Sequence, residues 1–190
     1  MLAHFAISPE SADKVNAEFD RVVGASFDEL NIESGSELTY LSQVITEAIR
    51  WNPTASTTSS YWFKKDTKIG NFTVKAYTAI LINIYGLHRN SAQWQKPYEF
   101  LPQRFDPESE FYLTPSGKKR HSCAYLPFNG GKRVCFGKTF AETVLRTICA
   151  MMAKEYRFSQ CKEKPMQEVP MIMLDQGHYP SLEIMLTKRD

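Results

Sequence analysis

A single cysteine set among glycines constrains this chain more than any other feature. In Phe128-Asn129-Gly130-Gly131-Lys132-Arg133-Val134-Cys135-Phe136-Gly137, the glycines allow a curled backbone, so main-chain amides can approach the sulfur without a Cβ in the way. Arg133 adds a fixed cation two residues before the thiol. Beyond Gly137, Phe140, Val144, Ile148 and Met151 recur at helical spacing and predict a helix over 138–156. The positive end of that helix would point at Cys135. Amide donors and positive potential favour a thiolate, the form in which cysteine ligates metals. The residues alone also allow a glycine-rich turn in which Cys135 is a small buried hydrophobe.

Two further segments carry chemistry. Leu38, Leu41, Ile45 and Ile49 predict a helix over 38–51, closed by Pro53 because the residue before proline is pushed out of the α region. Glu47 and Arg50 lie at i and i+3 on it, so carboxylate and guanidinium share a face. An earlier helix, 8–23, has Ser8 as N-cap, Pro9 in its first turn, Gly24 beyond its end, and Ala12, Val15, Phe19 and Val22 facing inward. Ile80, Ile82 and Ile84 alternate with Leu81 and Asn83 as a half-buried strand would. The expected class is α+β, with small sheets over 61–85 and a terminal hairpin in 157–190, its strands Glu168 to Met173 and Leu182 to Thr187.

The cysteine segment, Phe-x-x-Gly-x-Arg-x-Cys-x-Gly, resembles the haem-binding loop of the cytochrome P-450 family. So do Glu47-Ala48-Ile49-Arg50 and Phe100-Leu101-Pro102-Gln103-Arg104-Phe105, which stand in that family's order. The resemblance covers the whole chain but only the C-terminal portion of the mainly helical family fold. It implies haem b as cofactor, Cys135 as axial iron ligand, and Phe128, Gly131, Arg133 and Gly137 as further haem-binding residues. It also implies a buried network of Glu47, Arg50 and Arg104, and a meander over 94–127 leading to the loop at 128–137. The implied activity is that of a haem-thiolate monooxygenase, placing one oxygen atom from O2 into a small organic substrate. No acid-threonine pair of the family's distal helix is present, so no catalytic residue is assigned. The expectation follows that a segment building the other side of the haem pocket lies outside these 190 residues. Where the family often has Pro-Lys-Gly, this chain has Val74-Lys75-Ala76, and no arginine falls near Tyr61, which leaves Arg133 as the propionate partner. Two other readings stay open: a truncated, non-catalytic interaction module, and a haem carrier without oxygen activation.

A net charge of +2 gives no reason to expect nucleic acid. Lys118, Lys119, Arg120, Lys132 and Lys138 cluster in sequence near the cysteine, where the family meets its reductase, so they form the expected docking face for an electron donor. Cys123, Cys135, Cys149 and Cys161 lack Cys-x-x-Cys spacing and do not suggest a zinc site. No apolar run approaches the roughly 18 residues of a spanning helix. The family resemblance implies the endoplasmic reticulum membrane where an N-terminal anchor exists.

Overall fold

Helix packing begins with a short element. The computed structural model describes residues 2–24, 35–161 and 183–189. Helix α1 (Leu2–Ile7) buries Phe5 and Ala6 and leads directly into α2 (Pro9–Val22). Pro9 suits a first turn because its missing N–H would have no helical partner there. Ser8 occupies the N-cap position, but its side chain makes no capping bond and faces Ser11 Oγ at 3.3 Å. Ala12, Val15 and Phe19 point inward as their spacing predicts, while Val23 is buried rather than Val22.

Helix α3 (Thr39–Trp51) buries Leu41, Val44 and Ile45 together with Leu38 before it. Its N-terminus is satisfied from another helix. Glu18 of α2 accepts the Tyr40 N–H at 2.8 Å, the Leu41 N–H at 2.9 Å and the Thr39 hydroxyl at 3.0 Å. A buried carboxylate is tolerable there because it meets otherwise unpaired amides at the positive end of the helix.

Helix α5 (Lys138–Glu155) packs on α2 through Cys149, Ala150 and Ala153, small residues that let the backbones approach closely. The stripe that marks this helix in the sequence faces outward: Phe140 is 75% exposed, and Ile148 and Met151 are exposed too. Leu41 is fully buried and Phe128 half-buried, so uncovered apolar surface lies on the cysteine loop, on α5 and in the stretch from Trp62 to Ile82 rather than on α3.

The expected end of α5 moves by one residue, because Tyr156 already belongs to strand β3 (Tyr156–Gln160), with Phe158 inside and Arg157 outside. Its antiparallel partner is β4 (Ile184–Lys188), in register from Tyr156 opposite Lys188 to Gln160 opposite Ile184. The expected strand Glu168 to Met173 lies outside the described residues.

Strands β1 (Thr67–Ile69) and β2 (Phe72–Val74) form the other two-stranded sheet, turned at Gly70 with φ +56°. The strand expected across Ile80 to Ile84 does not form. That stretch makes only isolated bridges, Tyr61 to Ile80 and Thr57 to Asn83, and Leu81 and Ile82 are exposed. Asn83 ends it by accepting the Gly86 N–H on its side chain at 2.8 Å, which opens the one-turn helix α4 (Ile84–Leu87). In the Ser/Thr-rich stretch before it, Thr58 is buried and its hydroxyl accepts the Ile82 N–H at 3.0 Å.

Candidate functional site

The cysteine loop is built by two left-handed residues. Asn129 (φ 61°) and Gly131 (φ 62°) reverse the chain after Phe128, and a 3-10 turn over Gly131–Arg133 delivers Cys135. A Cβ on Gly131 would meet nothing within 4 Å, so the glycine is required by conformation, not by space. Gly137 differs from its expected role: its φ is −82°, and a Cβ there would make only ordinary contact, 3.8 Å from Cys135 Sγ.

The Cys135 N–H donates to Phe128 O at 2.8 Å, and Cys135 O accepts the Lys138 N–H at 3.3 Å, so both sides of the residue are held. The thiol is exposed and precedes the 18-residue α5 by three positions, at that helix's positive end. Around it stand exposed apolar side chains: Val134 at 49%, Phe136 fully, and Phe140. Arg133 is exposed on the same loop and forms no ion pair among the described residues.

Deeper in the fold, Glu47, Arg50 and Arg104 meet with no exposed surface. The Arg50 fork takes both Glu47 oxygens, Nε at 2.6 Å and Nη2 at 2.8 Å, while Arg104 Nε and the Leu101 N–H reach Glu47 Oε1 at 3.2 and 2.8 Å. The other bonds of the two forks all end on main-chain carbonyls. Arg50 reaches His88, Pro97 and Glu99, and Arg104 reaches Gln95, Lys96 and Glu99. Burial pulls the Arg104 guanidinium below the ordinary arginine range, and Glu47 opposes that shift. The result is one carboxylate fastening α3 to the 87–105 stretch.

Arg120 extends this network instead of standing with the surface lysines. It donates to Phe111 O at 3.0 Å and to Arg104 O, and its guanidinium lies 4.6 Å from the Trp94 ring centroid. Of the expected docking cations, Lys118, Lys119, Lys132 and Lys138 remain exposed. Arg89, part-buried, lies 3.7 Å from the Tyr85 ring centroid and donates to Trp51 O. Nor does the sequence foretell the bond of His88, whose Nε2 accepts the Leu126 N–H at 3.0 Å. No local pattern signals a bond between residues 38 positions apart.

His88 and His4 are both held well below the usual imidazole range, at about 4, by burial first of all; at His88 the hydrogen bond with Arg50 opposes the shift while the charges of Arg50 and Arg89 add to it, and the chain's N-terminal charge adds to it at His4. The unfolded chain takes protons near pH 6.5 that the fold refuses, so stability is full above that pH and declines as pH falls toward about 4. Urea midpoints measured across that window should fall steadily with pH; a level midpoint would contradict the burial of the two rings.

Among the described residues, no group of three or more histidines, cysteines or acids is placed to hold a metal ion, and no helix is long and apolar enough to cross a membrane. Comparison with known proteins gives a coherent result. The family model described as Cytochrome P450 matches residues 1–180. Human steroid 17-alpha-hydroxylase/17,20 lyase is 32% identical over 184 residues, which is 96% of this chain and 32% of that protein. Cytochrome P450 6a8 of Drosophila melanogaster is 30% identical over 166 residues, 86% of this chain and 31% of that one. A solved structure described as "Zebra fish cytochrome P450 another structure with Abiraterone" matches with a TM-score of 0.80 at 24% identity, over 100% of this chain and 43% of that one, and so shows the shared fold. The chain thus spans about a third of the length of the curated relatives it matches.

Proposed function

This chain belongs to the cytochrome P450 family, and from that premise we propose that residues 128–137 hold haem b through Cys135, as part of a haem-thiolate monooxygenase acting on a small organic substrate. One observation carries the reading: an exposed thiol, held at both main-chain ends, in the middle of exposed apolar side chains. A lone exposed cysteine needs no such wall; a flat apolar macrocycle does. Iron bound through a thiolate supplies oxygen activation, because sulfur donation favours cleavage of the O–O bond.

The chain's own residues then have distinct tasks. Phe128 O fixes the Cys135 backbone at 2.8 Å, so the thiol keeps one direction. Val134, Phe136 and Phe140 exclude water from the ligand, and Arg133, with no carboxylate partner among the described residues, is the cation for a haem propionate. Glu47, Arg50 and Arg104 form the scaffold beneath the loop and take no part in the chemistry. Lys118, Lys119, Lys132 and Lys138 steer an acidic electron-donating reductase toward this face. The names of the curated relatives support hydroxylation of an organic substrate.

Titration of the purified chain with ferric haem tests the proposal. Saturable uptake of one haem per chain, weakened about tenfold in Arg133→Ala by loss of a charge-assisted bond, is expected. Uptake without saturation, or none, would overturn it.

A further inference from the structure

Beneath the cysteine loop lies a buried imidazole with a partner on only one ring nitrogen. His88 has no exposed surface; its Nε2 accepts the Leu126 N–H at 3.0 Å, and its Nδ1 meets no partner among the described residues. Its own carbonyl accepts Arg50 Nη1 at 2.9 Å, so one residue touches the arginine network with its main chain and the approach to the cysteine loop with its ring. The ring stacks on Tyr125, with centroids 5.1 Å apart and planes 26° apart. Tyr125 in turn donates its hydroxyl to Thr46 O at 3.1 Å, next to Glu47. Two residues beyond Leu126, Phe128 O takes the Cys135 N–H.

We propose that His88 is a positioning residue for Cys135: its Nε2 pins the Leu126 amide, fixing the strand of loop whose Phe128 carbonyl holds the cysteine backbone. The donor is a main-chain N–H, so the ring must be neutral with its proton on Nδ1. Histidine alone among common side chains meets all the local demands. Phenylalanine would stack on Tyr125 but accept nothing, and glutamine would accept but not stack. The unmet Nδ1–H is a cost that a phenylalanine would avoid, so the Leu126 bond is what the histidine adds. The pinning of Leu126 stands on geometry alone, whereas its consequence for iron rests on the haem reading above.

The test uses the whole chain with His88→Phe and His88→Gln. Without haem, amide exchange at Leu126 should be about tenfold faster or more in His88→Phe, with the α3 amides unchanged, and recover most of its protection in His88→Gln. In the unsubstituted chain, imidazole 15N shifts at pH 7 should report the Nδ1–H tautomer, a measurement that stands even where a variant fails to fold. An Nε2–H tautomer, or unchanged Leu126 exchange in a folded His88→Phe, overturns the proposal. With haem and carbon monoxide added, His88→Phe should show part of its reduced Soret band displaced from the parent position. An undisplaced band beside accelerated exchange would overturn the link to Cys135. Should the unsubstituted chain itself take up no haem, the haem reading fails by itself, and the exchange result still decides the Leu126 contact.

Discussion

Replacing Glu47 by alanine is expected to remove a large share of the stability of the fold. Glu47 receives four donors, three from arginine forks and one from the Leu101 amide, at a site with no exposed surface. Its loss leaves two buried guanidiniums without a counter-charge, a change that costs about 3–5 kcal/mol where one partner of a buried pair is removed. Against a total stability of about 5–15 kcal/mol, that is a fifth or more of what holds a typical domain together. With an m-value of about 1–3 kcal/mol per molar urea, the midpoint should fall by roughly 2 M. Glu47→Gln should be milder yet still harmful, since an amide nitrogen would face donors where a carboxylate oxygen accepts them. A Glu47→Ala midpoint within about 0.3 M of the parent would show that the network is not what ties α3 to the 87–105 stretch.

Replacing Cys135 by serine is expected to abolish specific haem binding while leaving the fold intact. The side chain is exposed and packs against little, so the loss of sulfur removes no core contact. A serine hydroxyl stays protonated at neutral pH and is a poor ligand for iron beside a thiolate. Loss of even an outer partner of a metal ligand commonly costs 10–100-fold in affinity, so loss of the ligand itself should cost roughly 100-fold or more. Unfolding of Cys135→Ser in urea should match the parent closely. The two substitutions therefore separate scaffold from ligand: one weakens the fold that presents the site, the other removes the site from an intact fold.

Much of this architecture was legible because its signals are local. Pro9, the inward stripe of α2 and the stop at Pro53 each act within one or two turns, and the helices fall within about a residue of where spacing puts them. The cysteine loop was legible for a similar reason, since Gly131 announces a backbone that other residues resist. Gly137 carries no such requirement, and Asn129, which does adopt positive φ, looks like an ordinary polar residue in sequence.

The misreadings came from long-range partners. Periodicity in α5 correctly signals a helix, yet the stripe Phe140, Ile148 and Met151 faces outward, because close packing on α2 selects Cys149, Ala150 and Ala153 instead. Alternation at Ile80 to Ile84 looks like a strand, but only two bridges form, and the Asn83 side chain turns the chain into α4. Arg120 belongs by sequence to a basic surface cluster; three aromatic rings and two carbonyls draw it inward. Glu18 and His88 are invisible in sequence for the same reason, as each finds its partners more than 20 residues away.

The reduced, carbon monoxide-bound absorption spectrum of the haem-supplied chain tests the central claim most directly, because the Soret position reports which atom lies opposite the bound gas. A strongly red-shifted band in the parent chain, absent from Cys135→Ser, is the predicted result and identifies the Cys135 thiolate as the iron ligand. A parent band at the same unshifted position as that of the serine variant would contradict it, and would mean that haem, if held at all, is held by something other than Cys135.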